Sequence, residues 1–221
     1  MSTFGGRDSG RPSSERTKEQ RYLDPEQVNA VVKKAGTTFG PILVLCGWAG
    51  LRISEAISVV WGGLDLEGGT LSVETQLDDD GKRIDPKTLR SRATVGLLPI
   101  VVETLKAHRR KQAAKGQHLI SDQSLVFVTA SGGPQTRRNV LRALHRAGDK
   151  LGLNGENQAP VNAHSLRHSF ITNAISVGLT IPEAALLARH DVATCAAVYA
   201  KVAETQRAGV AAKLATALGM G

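Results

Sequence analysis

Four short stretches concentrate the side chains that could do chemistry: GLRISEA at 50–56, DPKTLRSRATVGLLP at 85–99, HSLRHSF at 164–170 and LARHDVATCAAVYAKV at 187–202. They hold arginines, two lysines, histidines and Tyr199, one of only two tyrosines in 221 residues. A phosphodiester repels nucleophiles through its own negative charge. Two arginine forks on its non-bridging oxygens remove that repulsion and stabilise the charge of a pentacovalent state, with a planar grip that lysine lacks. Histidine can move a proton near neutral pH, and a tyrosine oxygen can attack. A phenol with a pKa of about 10 is only about 0.1% ionised at neutral pH, a handicap of about 4 kcal/mol. Such a nucleophile needs cations and a base beside it. Taken singly, Tyr199 reads as packing, His164 as a helix cap and Arg52 as a helix-start arginine.

In this order and with these spacings, the four stretches resemble the tyrosine recombinase family, also called phage integrases, from about residue 22 to the end of the chain. His190 lies 23 positions after Arg167, and Tyr199 nine after His190, both as in the family pattern. The resemblance implies that Arg52 is the first catalytic arginine, Lys87 the lysine of the β-hairpin, His164 and Arg167 the HxxR pair, His190 the second histidine and Tyr199 the nucleophile. In those roles His164 accepts or shuttles the phenol proton, His190 hydrogen-bonds a non-bridging oxygen and Lys87 protonates the leaving 5′-oxygen. The expected products are a 3′-phosphotyrosine and a free 5′-hydroxyl. The covalent link preserves the bond energy, so a second strand's hydroxyl can reverse the step without ATP.

Several neighbours bear on this assignment. Lys82, Arg83, Arg90 and Arg92 compete with Lys87 as the hairpin cation. Glu55, one helical turn after Arg52, reads either as a partner that holds an arginine or histidine or as a surface carboxylate. His108, His118, His145 and His168 have no motif support and read as structural or exposed. Ala188 and Arg189 stand where the family usually has leucine-glycine, and Lys201 where it usually has histidine. Neither departure is expected to touch the chemistry; packing and DNA contacts are. No nucleotide-binding Walker motif is present, and no cofactor or metal is implied: His164 and His168 stand four apart, but Ser165 occupies the position where a zincin has glutamate.

The formal charge of +8 and pI of about 9.8 favour a polyanionic partner, nucleic acid above a membrane surface. No apolar run approaches the roughly eighteen residues of a membrane span, and MSTFGGRDSGRPSSERTKEQR lacks the apolar core of a secretory signal. A cytoplasmic location, in a bacterial cytoplasm or nucleoid, is expected. Cys46 and Cys195 are far apart and belong to no CxxC, so reduced core residues are expected.

The elements that must position these residues can be read in outline. Residues 1–21 read as a flexible basic segment or linker remnant, and 22–221 as the catalytic domain, with a last helix from about 204. Family members normally carry a core-binding domain in front that closes a clamp around DNA, whereas here only about 20 residues precede the catalytic part. Asp24, Pro25 and Gln27 mark a helix start and Gly36 its end. GPILVLCGWAGL is apolar nearly all round and predicts a buried helix. A second helix at SEAISVVW leaves Arg52 at the junction. Residues 64–98 predict about three antiparallel strands, with DDDG as a turn. Helices follow at roughly 100–115, 136–151, 162–177, 182–190, 193–201 and 204–218.

The expected fold is therefore α+β and mainly α-helical, with a small three-stranded antiparallel sheet, the DNA breaking-rejoining fold that the resemblance implies. On 136–151, Val140, Leu144 and Leu151 share an apolar side. Arg138, Arg142 and Arg146 line another and are candidate DNA contacts. The expected partner is double-stranded DNA, bound as a homotetramer on paired sites by a protein that is monomeric without DNA, with no membrane involved. Val210, Leu214 and Leu218 form a stripe that packs on its own domain or on a neighbour. The form of the motifs favours an integrase of a phage or mobile element. The alternatives are a type IB topoisomerase-like relaxing enzyme and a DNA-binding module with an idle site.

Overall fold

The computed structural model describes residues 22–78, 80–84, 93–155 and 159–205. Lys87, Arg90, Arg92, the N-terminal basic segment and the Val210–Leu218 stripe lie outside the described residues.

Chain order is set by eight helices among these residues: α1 Pro25–Lys34, α2 Gly36–Trp48, α3 Ile53–Ile57, α4 Pro99–Ala113, α5 Arg137–Lys150, α6 Ala163–Ser176, α7 Ile181–Ala188 and α8 Val192–Thr205. Between α3 and α4 lie β1 Leu64–Asp65, β2 Thr70–Val73, β3 Gln76–Leu77, β4 Arg83–Ile84 and β5 Ala93–Gly96. The mainly helical α+β class and the small antiparallel sheet are as expected. That sheet runs β1-β2-β5, with Leu71 opposite both Leu64 and Val95. A separate two-stranded ribbon, β3-β4, was not anticipated; Asp78–Lys82 and Gly81 make its turn.

The first helix starts as its sequence dictates. Asp24 accepts the Gln27 N–H at 2.8 Å and Gln27 returns a bond to the Asp24 N–H at 3.3 Å, with Pro25 at the first helical position. Gly36, at φ 76°, turns the chain directly from α1 into α2. Helix α2 is buried from Gly40 to Gly47 and packs against α1, α3, α4, α5 and α6, so it is the axis of the core. Ile42, Leu43 and Leu45 are wholly buried, and each such side chain contributes about 1.5–3 kcal/mol. Gly40 is needed for the crossing with α1: a Cβ there would sit 2.8 Å from the Val32 carbonyl oxygen.

Two expectations need correction. The helix at SEAISVVW is only Ile53–Ile57, because the chain then enters a bridge between Val60 and Leu125 and a 3-10 turn at Trp61–Gly63. The helix expected at 193–201 is longer: α8 runs unbroken from Val192 to Thr205, since no glycine or proline interrupts VATCAAVYAKVAET; residues 206–218 of the next expected helix lie outside the described residues.

The largest hydrophobic cluster surrounds α2, and a second gathers Ile171, Ala184, Ala185, Ala188 and Cys195 where α6, α7 and α8 meet. Cys46 and Cys195 are both free and buried. The segment before α1 is tied to α6, where Leu23 N–H donates to Ser169 Oγ at 2.7 Å and Asn173 donates to the Leu23 carbonyl at 3.2 Å.

Candidate active site

Arg167 lies on α6, one turn after His164, and the two occupy the same side at different depths: His164 is exposed, Arg167 only 3% so. Asn162 starts the helix by accepting the Ser165 N–H at 3.0 Å, which fixes where that side faces. The Arg167 guanidinium reaches the C-terminal ends of two other helices. Its Nη1 donates to the Gly50 carbonyl just past α2, and its Nη2 to the carbonyls of Ala188 and Arg189 at the end of α7. A cation at a helix C-terminus satisfies carbonyls that the helix itself leaves unpaired. Gly50 is required for this approach, because its φ is 63° and a Cβ would lie 2.7 Å from the Phe170 ring.

Arg52 caps α3 from the other side, with a side chain 41% exposed. Glu55, 1% exposed, holds it by two bonds: Arg52 N–H to Oε2 at 2.8 Å and Nη1 to Oε1 at 2.9 Å. The same carboxylate accepts from Arg189 Nη2 at 2.7 Å, across 134 residues of sequence. Of the two readings open for Glu55, the structure supports the partner, and it holds two arginines rather than one.

Removing Glu55 strands a buried guanidinium. Glu55→Ala is expected to cost about 3–5 kcal/mol and to lower the thermal midpoint by about 10 °C in a circular-dichroism melt. A loss under about 1 kcal/mol would mean that the Arg189 side chain reaches water when the carboxylate is gone.

His190 occupies the corner between α7 and α8. Arg189 takes the left-handed conformation (φ 51°, ψ 48°), and the turn closes with Arg189 N–H to Leu186 at 3.0 Å and His190 N–H to Ala185 at 2.8 Å. Asp191 then starts α8, accepting from the Thr194 N–H at 2.9 Å. The Asp191 N–H donates to His190 Nδ1 at 2.9 Å, so a neutral ring keeps its proton on Nε2, free to donate outward.

The electrostatics tie these groups into one site. Burial pushes the His164 pKa below its usual 6.5, and the cations of Arg137, Arg167 and Arg52 push it further. Burial likewise lowers His190, followed by Arg167 and Arg52. Both imidazoles thus sense the same two arginines. Arg167 itself is pushed down to about 10, by burial first and then by Arg52, and remains a cation at neutral pH.

Tyr199 sits half-buried on α8, one turn beyond Cys195 on the same face. Cys195 is buried in the small α6–α7–α8 cluster, and burial raises its thiol pKa while the charge of Arg167 lowers it. That face of α8 therefore packs against α6 and α7. The structure brings Arg52, His164, Arg167 and His190 together, and sets Tyr199 on the helix that begins beside them.

Arg138, Arg142 and Arg146 line a groove between α5 and the β3–β4 turn, shared with Arg137 and His145 and with Asp78 at its rim. Their apolar counterparts Val140 and Leu144 are buried beneath. Two residues escaped the sequence reading. Arg137, the first residue of α5, couples this groove to His164. Arg189 was set aside as a departure without chemistry; only its left-handed turn position, usually filled by glycine, could have drawn notice. Among the described residues no three histidine, cysteine or acidic side chains gather as a metal site, and no helix is long and apolar enough to cross a membrane.

Comparison with known proteins agrees with this fold. A family model described as the Phage integrase family matches residues 21–206. The chain is 29% identical over 154 residues to tyrosine recombinase XerC of Halalkalibacterium halodurans, covering 70% of this chain and 46% of that protein. It is 30% identical over 162 residues to the putative integrase/recombinase y4qK of Sinorhizobium fredii, covering 73% and 46%. The chain thus spans about half the length of the curated relatives it matches. Among solved structures, XerA recombinase superposes with a TM-score of 0.68 at 18% identity, over 90% of this chain and 67% of that one. The Tn1549 transposon integrase, solved in complex with transposon right end DNA, also scores 0.68, at 22% identity over 87% and 67%.

Proposed function

Because this chain belongs to the phage integrase family, we propose that it cleaves and rejoins DNA strands at specific sites through a 3′-phosphotyrosine. The observation that carries this reading is the linkage of Arg52 through Glu55 to Arg189, whose carbonyl accepts from Arg167, with His190 the next residue and His164 one turn before Arg167. In the reading, exposed Arg52 and buried Arg167 draw the scissile phosphate to the mouth of the site, where His164 stands. Tyr199 Oη attacks phosphorus as its proton passes to His164. His190 donates Nε2–H to a non-bridging oxygen, and the bond from phosphorus to the 5′-oxygen breaks. Lys87, on the chain between β4 and β5, would protonate that leaving oxygen. A 5′-hydroxyl of another strand then reverses the sequence, attacking phosphorus and returning the proton to Tyr199.

Arg138, Arg142 and Arg146, with Arg137, suit the DNA backbone beside this site, where each cation that neutralises a phosphate releases a counterion. Assembly into a tetramer on paired sites, from a monomer without DNA, belongs to the same proposal. So does a mobile-element role, supported by relatives named integrase.

The reading is tested with a nicked duplex built from the sequence on which the protein becomes trapped in fragmented DNA of its source. A denaturation-resistant adduct and a new 5′-hydroxyl end are expected. Relaxation of plasmids lacking that sequence, by a monomer, would instead favour a topoisomerase-like enzyme.

A pH profile follows from the histidines. Both must be neutral, and both have pKa values below 6.5, so they hold their neutral form further into acid than a free imidazole. The single-turnover cleavage rate should be flat from pH 7 to 8 and fall only below the usual imidazole value. An acid limb centred at or above 6.5 would contradict this.

A further inference from the structure

Arg189 is a costly residue where it stands. Its backbone is left-handed, a conformation that strains any residue but glycine. Its side chain is 4% exposed, and Nε and Nη1 are buried without an acceptor among the described residues. A glycine would make the same turn without any of these penalties, and a buried ion pair is a weak source of stability. The arginine must therefore be explained by something other than folding.

Two features of its setting supply the explanation. Its Nη2 grips Glu55 Oε2, the same oxygen that accepts the Arg52 N–H, while Glu55 Oε1 aims the Arg52 guanidinium. Its own carbonyl, with that of Ala188, accepts from Arg167. One residue thus touches the supports of both arginines. The second feature is charge. Arg189 adds one positive charge beside Arg52 and Arg167, and a phosphodiester gains one negative charge on passing to a pentacovalent phosphorane.

We propose that Arg189 is a positioning residue for strand cleavage: it locks Glu55 against Arg52 and tunes the charge of the site to the pentacovalent state rather than to the substrate. Its buried donors do not touch DNA; it acts through Glu55 and through its field. The inference rests on the strand-transfer reading above. Interactions that favour the transition state alone change the rate of the chemical step and leave binding nearly untouched.

The test compares Arg189→Gly and Arg189→Lys with the unaltered chain on the nicked duplex, under single turnover with saturating DNA. Arg189→Gly should cleave about 10–100-fold more slowly, with Kd for the duplex within about threefold and a melting midpoint that falls less than in Glu55→Ala, since Glu55 keeps both bonds to Arg52 and the strain and the unmet donors are gone. Arg189→Lys, which keeps the charge, should recover to within about fivefold of the unaltered rate. A duplex with methylphosphonate at the scissile position carries one negative charge fewer, and on it the glycine defect should shrink to under about threefold. A merely structural role predicts equal defects on both duplexes. Equal defects, a lysine variant no better than glycine, a glycine variant that cleaves normally, or one that loses its fold would each overturn the inference while leaving the recombinase reading standing. An unaltered chain that forms no adduct would contradict that reading, and the inference with it.

Discussion

Tyr199→Phe is expected to form no covalent adduct, with a loss of at least about 10⁴-fold in cleavage and a Kd for the duplex within about threefold of the unaltered chain. The ring is kept, so the packing of α8 against α6 and α7 is preserved. What disappears is the oxygen to which the proposal gives the attack. The basic groove and the arginines, to which the proposal gives the binding, are elsewhere. An adduct that persists at more than a trace in this variant would move the nucleophile to another residue; a collapse in binding would mean that the hydroxyl itself holds DNA.

The second large effect is expected at Arg167. Arg167→Lys retains the charge but loses the fork that spans the ends of α2 and α7, where Gly50, Ala188 and Arg189 present their carbonyls. An ammonium cannot reach all three and a phosphate as well. Cleavage should fall about 10²–10³-fold, and the carbonyls left unpaired should cost about 1–3 kcal/mol of stability. Single-turnover cleavage and a thermal melt on the same preparation separate the two losses. A lysine variant that cleaves within about threefold of the unaltered chain would show that charge alone suffices, and would sink the role given to the guanidinium geometry.

How far these features could be read without a structure depended on whether their signals were local. The α1 start was legible because Asp24, Pro25 and Gln27 act within one turn. Burial of α2 was legible because apolar residues cover every side of it. The short α3 was not, since what ends it is the bridge from Val60 to Leu125, a contact between distant parts of the chain. The β3–β4 ribbon pairs only two residues on each strand, too few to leave an alternating pattern. In the candidate site, Arg52, His164, Arg167, His190 and Tyr199 were singled out through their order and spacing. Arg189 was missed because its importance lies in a partner 134 positions away. Arg137 was missed for a similar reason: it looks like one more cation in TRRN until α5 is set beside His164.

The most direct measurement is the identity of the residue that carries DNA. The chain has only two tyrosines, Tyr22 and Tyr199, so proteolysis of the trapped adduct followed by mass spectrometry distinguishes them cleanly. The expected result is a nucleotide joined through its 3′-phosphate to the peptide that contains Tyr199. A nucleotide on Tyr22, on a serine or on a histidine, or one joined through a 5′-phosphate, would contradict the account.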